Sequence, residues 1–199
     1  MKKHILLLVI SFISIAAVAQ NDLPKLPTEI SPLLVGEKIP NLKLKSVDNV
    51  DVNLSDLIGK KRTILVFYRG GWCPYCNIQL SALGQAEKEL LELGYQIIAI
   101  SPDAPKNLKV TDEKDNLNYL LLSDSKGELS KAVGIAFQAP DGYKPYISDG
   151  SDGINTSFLP VPTVFIVNRN GEIEFEHITP DYKHRISTEL LIAAAKSLK

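Results

Sequence analysis

The two cysteines of the chain, Cys73 and Cys76, lie three positions apart in the stretch Trp72-Cys73-Pro74-Tyr75-Cys76. Residues three apart at the start of a helix are neighbours, so their sulfurs can come within disulfide-bonding distance. Unpaired N–H groups at a helix N-terminus stabilise a thiolate, and thiols in Cys-x-x-Cys motifs have pKa values of about 3.5–7.5. The spacing therefore predicts dithiol/disulfide chemistry.

The motif predicts different roles for its residues. Cys73, nearer the solvent and the helix end, is the predicted nucleophile, and Cys76, one turn deeper, would resolve the mixed disulfide. Pro74 suits the first helical turn, where its missing N–H does no harm. Trp72 would offer a flat apolar surface on which a partner docks, and Tyr75 either covers the sulfur or is an exposed spacer.

Two other interpretations of the cysteines carry less weight. An inert stapling disulfide would close only a tiny loop and add little stability. A zinc site normally needs four ligands, and two thiolates lack their second pair. The histidines are His4, in the N-terminal segment, His177, interpreted as a strand-edge residue, and His184. No metal and no organic cofactor is expected.

The surrounding pattern predicts elements that would hold the motif. An apolar, β-branched run over residues 63–68 predicts a central strand leading into it. Apolar residues at helical spacing follow, and residues 95–100 form a second apolar run, so the motif lies in a βαβ unit with parallel strands. Asn170-Gly171 predicts a later hairpin. The predicted order is β-hairpin, β-α-β, α, β-α, loop, β-β-α.

Two segments lack a regular pattern. Residues 137–160 carry several prolines and glycines, which predicts a long, irregular loop that is functional or mobile. Residues 181–185 predict a polar turn before the C-terminal helix.

The N-terminus has the pattern of a secretory signal peptide over residues 1–19. Lys2 and Lys3 precede an apolar run, and Ala17-Val18-Ala19 is a small-x-small cleavage pattern. An uncleaved anchor is the alternative, but the run is short for a membrane span. We expect an exported, periplasmic protein that has no membrane association after cleavage, in a compartment that permits disulfides.

Composition indicates one ordinary domain. The chain has 199 residues, 45% hydrophobic and 23% charged, which is enough for one core. The absence of lysine and arginine runs disfavours nucleic acid as a partner. The predicted organisation is a signal peptide over 1–19, an extended leader over 20–35 and one domain over 36–199.

The mature chain resembles the alkyl hydroperoxide reductase/thiol-specific antioxidant superfamily, and within it the peroxiredoxin-like proteins. The resemblance is carried by the N-terminal hairpin, residues 67–76, Leu122-Ser123-Asp124, residues 159–163 and Pro180-Asp181-Tyr182. It implies an α/β, thioredoxin-like fold: a central mixed β-sheet flanked by helices, with an N-terminal β-hairpin extension.

Within this resemblance, Val161-Pro162-Thr163 is similar to the cis-proline loop of thioredoxin folds. Pro162 would then be cis, pack against the dithiol and present backbone to an extended substrate. Peroxiredoxins use Pro-x-x-x-Thr/Ser-x-x-Cys and a distant arginine. With Cys76 on the peroxidatic cysteine, Cys73 falls on the threonine, Arg69 on the proline, and Pro162 on the distant arginine.

Arg69 has two interpretations. The plainer one, an ordinary surface arginine at a strand end, is slightly favoured over a role beside a thiolate or an anion.

The resulting hypothesis is an exported thiol-dependent oxidoreductase. Its substrate would be a protein disulfide or a peroxide, and an unidentified thiol reductant would regenerate the dithiol. The alternative is a non-enzymatic interaction module, in which the loop at residues 137–160 binds a partner and the cysteines only stabilise the fold.

Overall fold

The computed structural model describes residues 22–115 and 117–198, so the predicted signal peptide over 1–19 lies outside the described residues. Nine strands and six helices are present in this part of the chain. The strands are β1 (Lys43–Ser46), β2 (Asp51–Asn53), β3 (Arg62–Phe67), β4 (Tyr95–Ser101), β5 (Leu120–Ser123), β6 (Ala136–Gln138), β7 (Phe158–Pro160), β8 (Thr163–Val167) and β9 (Ile173–Ile178). The helices are α1 (Leu54–Ile58), α2 (Pro74–Glu92), α3 (Pro105–Asp115), α4 (Glu128–Ala132), α5 (Lys144–Gly150) and α6 (Thr188–Ser197).

Seven strands form one mixed sheet in the order β2-β1-β5-β4-β3-β8-β9. Strand β4 pairs in parallel with β3 and β5, as the predicted βαβ unit requires. Strands β8 and β9 add to β3 as an antiparallel hairpin, and the β1–β2 hairpin extends the opposite edge. The predicted α/β fold with a central mixed sheet is confirmed.

The sheet is buried on both faces because its central strands carry consecutive apolar residues, at positions 64–67 of β3 and 97–100 of β4. Strand β3 sends Ile64 and Val66 into one cluster and Leu65 and Phe67 into another. The first cluster contains Cys73, Cys76 and the apolar face of α2. The dithiol is therefore part of the core on the α2 side of the sheet.

The prediction of an irregular loop over residues 137–160 is wrong. Strands β6 and β7 pair there, and a 3₁₀ turn at Asp141–Tyr143 leads into α5. Pro145 lies in the first turn of α5, where it is compatible with a helix. The segment is ordered because it buries a small apolar cluster of its own: Phe137, Ala139, Ile147, Leu159 and Val161.

Helix α4 begins at Glu128, and the side chain of Asp124 caps its first turn. The carboxylate of Asp124 accepts hydrogen bonds from the backbone N–H groups of Leu129 and Ser130, at 3.1 and 2.8 Å. It also accepts the hydroxyl of Ser130 at 2.7 Å. These bonds place the helix start at Glu128, because the carboxylate takes up N–H groups that have no partner within the helix.

The described part of the leader, residues 22–35, is bonded to the domain. The carbonyl of Pro24 accepts the N–H of Gln138 at 2.8 Å, and Leu33 donates to the carbonyl of Val133 at 3.1 Å. Across residues 22–115 and 117–198, no helix combines the length and the apolar character needed to cross a membrane.

Candidate active site

Cys73 is the N-cap residue of helix α2, with extended backbone angles of φ −90° and ψ 114°. Its carbonyl accepts the N–H groups of Cys76 and Asn77, at 3.0 and 3.1 Å. Pro74 occupies the first turn, where no N–H is needed. The local sequence thus fixes Cys73 at the positive end of the helix dipole, with Cys76 one turn further in.

The two sulfurs have opposite acid–base character. Both cysteines are free thiols. A hydrogen bond from the Cys76 thiol lowers the pKa of Cys73 to about 6, although burial opposes that shift. Burial raises the pKa of Cys76, and its hydrogen bond to Cys73 raises it further. Cys73 is therefore the thiol that ionises near neutral pH, and Cys76 is the proton donor beside it.

Cys73 was expected to lie nearer the solvent than Cys76, and both residues are buried, with exposures of 1% and 0%. Trp72 does not offer a free docking surface. Its ring stacks on Tyr146 at a centroid distance of 5.4 Å and lies 5.8 Å from Tyr143. Both tyrosines come from the segment between β6 and β7, which sequence reasoning treated as irregular.

Tyr182, which follows β9, extends this group of rings. Its ring lies edge-on to Tyr75 at 5.7 Å and to Tyr143 at 6.3 Å. We call Trp72, Tyr75, Tyr143, Tyr146 and Tyr182 the ring cluster. Tyr75 is 39% exposed, which favours the exposed spacer of its two interpretations, although its ring contacts that of Tyr182.

The interpretation of Arg69 as a surface arginine is wrong, because Arg69 is 3% exposed. Its guanidinium carbon lies 4.1 Å from the ring centroids of Tyr143 and Tyr182 and 5.0 Å from that of Trp72. These aromatic faces stabilise the buried cation. Its charge helps to lower the pKa of Cys73, and its buried Nη1 has no hydrogen-bond partner. The guanidinium thus retains a donor for an anion or a polar substrate atom.

Sequence reasoning missed Arg185, which it placed in a polar turn. Arg185 Nη2 lies 3.3 Å from the Sγ of Cys76, and Nη1 donates to Oε1 of Gln79 at 3.0 Å. No local motif marks this role, because the contacts of Arg185 with Cys76 and Gln79 are made across more than 100 positions of the chain.

Asp103, which sequence reasoning also missed, is hydrogen-bonded to the turn that precedes Cys73. The backbone N–H of Gly71 donates to Oδ2 of Asp103 at 2.7 Å. Gly71 itself must lack a side chain, because a Cβ there would lie 2.1 Å from Oγ1 of Thr111. Asp103 lies two residues beyond the end of β4, so the segment that leaves this strand supports the Cys73 turn.

The prediction that Pro162 is cis is wrong, since no peptide bond is cis within residues 22–115 and 117–198. Only Val161 and Pro162 separate β7 from β8. Val161 donates to the carbonyl of Ile135 at 2.9 Å, and Pro162 accepts from Thr179 at 3.0 Å. Thr163 pairs with Phe67, so Pro162 lies at the end of the sheet from which the dithiol turn emerges.

The histidines do not complete a metal site in the described residues. His177 lies on β9, where its Nδ1 is 3.3 Å from the hydroxyl of Thr179, and burial lowers its pKa. Within residues 22–115 and 117–198 no three His, Cys, Asp or Glu side chains are grouped so that they could hold a metal ion.

The fold matches those of solved peroxiredoxins. Prx3 from Vibrio vulnificus, in a complex with hydrogen peroxide, superposes with a TM-score of 0.71 at 19% identity, covering 82% of this chain and 99% of that one. Peroxidoxin BcpB from Mycobacterium tuberculosis gives 0.67 at 17% identity, covering 83% and 97%. At these identities the likeness shows the fold, and it confirms the thioredoxin-like architecture.

Sequence comparison gives the family. The chain is 34% identical over 144 residues to the putative peroxiredoxin Bcp of Haemophilus influenzae, covering 72% of this chain and 85% of the relative. It is 30% identical over 154 residues to peroxiredoxin Bcp of Escherichia coli, covering 77% and 90%. The profile of the AhpC/TSA family matches residues 35–176. The chain, with its Cys73/Cys76 dithiol at the head of α2, therefore belongs to the AhpC/TSA family.

Proposed function

We propose that this protein is a thiol-dependent peroxidase whose attacking thiolate is Cys73 and whose resolving thiol is Cys76. Its relatives are named peroxiredoxins, and peroxiredoxins reduce peroxides at a cysteine thiolate. The observation that carries the assignment to Cys73 is its hydrogen bond from the Cys76 thiol, which lowers the pKa of Cys73 to about 6. The thiolate is the nucleophilic form of cysteine.

The proposed cycle is balanced. The Cys73 thiolate attacks one oxygen of a hydroperoxide, the O–O bond breaks, and the leaving alkoxide takes a proton to become an alcohol or water. The Cys73 sulfenic acid then condenses with the Cys76 thiol, which releases water and forms the disulfide. An external dithiol, or two thiol molecules, reduces this disulfide by exchange and is itself oxidised.

The two arginines support different steps of this cycle. Arg69, with its unpartnered Nη1 and its charge beside Cys73, would orient the peroxide and stabilise the developing negative charge. Arg185, at Cys76, favours the thiolate that resolves the sulfenic acid. Trp72, Pro74, Tyr75 and Pro162 are proposed to shape the surroundings of the sulfurs.

Rapid mixing of the reduced protein with hydrogen peroxide tests the assignment. Cys73→Ser should abolish the fast reaction. Cys76→Ser should keep the first turnover and accumulate a sulfenic acid on Cys73, which dimedone traps. A wild-type rate no faster than that of free cysteine at the same pH would contradict the proposal, as would a fast reaction that persists in Cys73→Ser.

Disulfide exchange by the same thiols belongs to the proposal as a second reaction. The pairing of an ionisable Cys73 with a protonated Cys76 also suits attack on a disulfide sulfur. Equilibration with glutathione measures the reduction potential. A value between about −120 and −270 mV would match redox catalysts, whereas one below about −300 mV would favour the interaction module with an inert disulfide.

We further propose export to the periplasm. The support is the basic, apolar and small-residue pattern over residues 1–19. N-terminal sequencing of the protein purified from its own cells would test this, since cleavage after Ala19 predicts Gln20 as the first residue. An intact Met1 in a cytosolic fraction would contradict it.

A further inference from the structure

Asp103 is a buried carboxylate that the proposed cycle does not use. Its residue exposure is 3%. Its Oδ2 accepts the N–H of Gly71 at 2.7 Å and the hydroxyl of Ser101 at 3.2 Å. Its own N–H donates to that hydroxyl at 3.2 Å. The carboxylate is thus tied on one side to its own strand end and on the other to the Cys73 turn.

The second carboxylate oxygen of Asp103, Oδ1, lies close to two backbone segments, those of Gly70 and Gly150. A Cβ on Gly70 would lie 2.8 Å from Oδ1, and one on Gly150 would lie 2.6 Å from it. Gly70 belongs to the turn that precedes Cys73, and Gly150 is the last residue of α5. Both segments approach the carboxylate closely because neither has a side chain there, so the position of the turn depends on this group.

No cation neutralises Asp103 within residues 22–115 and 117–198, where its side chain forms no salt bridge. The charge of Asp103 raises the pKa of Tyr68, and the charge of Cys73 raises that of Asp103, so the Asp103 carboxylate and the Cys73 thiolate repel each other. Burial raises the pKa of Asp103 to about 6, and the charge of Cys73 raises it as well. The carboxylate and the thiolate therefore titrate in the same range and oppose each other.

The Asp103 carboxylate borders a cavity of about 380 Å³. Asp103 lines it together with Asn77, Thr111 and Tyr146, and the charged groups along it are Lys114 and Asp149. The pKa of Cys73 is lowered by its hydrogen bond from Cys76 and by the positive charges of Arg69 and Arg185. Asp103 is hydrogen-bonded to the turn before Cys73, and a negative charge there has the opposite effect on the pKa of Cys73.

We propose that Asp103 is a positioning residue for Cys73, holding the turn through the Gly71 N–H while its negative charge limits formation of the Cys73 thiolate. The inference rests on the proposed function only in taking Cys73 as the nucleophile. Because the thiolate can be observed without any peroxide or disulfide, the inference can fail while the peroxidase proposal stands, and the reverse.

Absorbance of the reduced full chain at 240 nm, followed against pH, reports the thiolate directly, and its lower step belongs to Cys73. Asp103→Asn keeps an oxygen that accepts from Gly71 and removes the charge, so the midpoint should fall by about half a pH unit or more. Asp103→Ala removes both the charge and the hydrogen bond. Its midpoint should lie above that of Asp103→Asn, because the released turn no longer holds Cys73 against the Cys76 donor.

Asp124→Asn is the matched control, because Asp124 is also buried and hydrogen-bonded but holds the start of α4. Its thiolate midpoint should equal that of the wild type. Ser101→Ala is a second probe: without the hydroxyl donor, Asp103 keeps its proton to higher pH, so the midpoint should fall, though by less than in Asp103→Asn. Thermal melts confirm that each variant is folded.

Three outcomes would overturn the inference. An unchanged or raised midpoint in Asp103→Asn would show that the charge does not reach Cys73. Equal midpoints in Asp103→Asn and Asp103→Ala would show that the hydrogen bond to Gly71 does not position the turn. A shift of similar size in Asp124→Asn would assign the effect to general loosening of the core. If Asp103→Asn does not fold, an unshifted midpoint in Ser101→Ala overturns the charge effect.

Discussion

Arg185 Nη2 lies 3.3 Å from Cys76 Sγ, although the two residues are 109 positions apart. The same side chain also donates from Nε to the carbonyl of Tyr182 at 2.9 Å, which fixes its direction. The connection between β9 and α6 therefore delivers a cation to the deeper thiol of the motif. Together with Arg69, it gives the dithiol two positive neighbours, and both lower the pKa of Cys73.

Replacing Arg185 should slow resolution more than attack. In Arg185→Ala the charge that lowers the pKa of Cys76 is lost, so less Cys76 thiolate forms. We expect the condensation of the Cys73 sulfenic acid to slow about tenfold, which corresponds to about 1.4 kcal/mol of barrier. Stopped-flow measurement of disulfide formation after one equivalent of peroxide reads this step.

The control for this variant is Arg169→Ala. Arg169 is an exposed arginine whose Nε donates to the carbonyl of Gly59 at 3.3 Å, away from the dithiol. It should leave the resolution rate unchanged. If Arg185→Ala resolves as fast as the wild type, the contact with Cys76 has no role in this step.

The reaction of Cys73 should depend on pH with a midpoint near 6. The pKa of Cys73 is lowered to about 6, so the thiolate, and with it the rate, is present above this pH and is lost as pH falls through it. We expect the rate to reach about nine-tenths of its plateau by about pH 7. The rate of Cys73 alkylation by iodoacetamide, followed against pH in a Cys76→Ser background, measures this pH dependence. The serine hydroxyl in that variant replaces the Cys76 thiol as hydrogen-bond donor to Cys73. A midpoint near 8.5, the value for free cysteine, would contradict the geometry.

Opening the ring cluster should expose Cys73. Tyr146 stacks on Trp72 and is itself 55% exposed, so Tyr146→Ala removes a cover without emptying the core. We expect alkylation of Cys73 by a bulky maleimide to accelerate several-fold, with a smaller change for iodoacetamide, because access limits the larger reagent.

Ile154→Ala is the matched control for this prediction. Ile154 lies in the segment between α5 and β7 and is 54% exposed. Its replacement should leave both alkylation rates as in the wild type. Equal acceleration by both reagents in Tyr146→Ala would argue for loosening of the site rather than removal of a cover.

Two glycines with similar backbone angles should differ in their tolerance of alanine. Gly134 and Gly153 have φ of +72° and +78°. A Cβ at Gly134 would lie 1.9 Å from the carbonyl oxygen of Ser31, whereas none of the surrounding atoms lies within 4 Å of one at Gly153. Gly153→Ala should cost about 1–2 kcal/mol from strain alone. Gly134→Ala should cost about 1–3 kcal/mol more, because the leader must move.

Urea unfolding of both variants measures these free energies. The difference between them isolates the contact of the leader with the domain, because the backbone strain is common to both. Equal losses of stability in the two variants would mean that the leader moves away from the new side chain at position 134 without lowering the free energy of unfolding.

Much of the fold followed from local patterns. The apolar runs predicted β3 and β4, the Asn170-Gly171 turn predicted the β8–β9 hairpin, and the spacing of the apolar residues predicted α2. Such signals are strong because period and turn chemistry are properties of neighbouring residues. The segment at residues 137–160 was predicted as irregular because its prolines and glycines hid two short strands whose partners are each other.

The spacing of Cys73 and Cys76 and the proline between them determined, without any structure, that a dithiol would lie at a helix N-terminus. The tertiary structure alone decided what surrounds the two sulfurs. Arg69 became buried because the rings of Tyr143 and Tyr182, from distant segments, enclose it together with the neighbouring Trp72. Asp103 reached the motif from beyond the end of β4, and Arg185 from the connection between β9 and α6. Contacts across such separations depend on how the strands are ordered in the sheet, and this order leaves no local mark in the sequence.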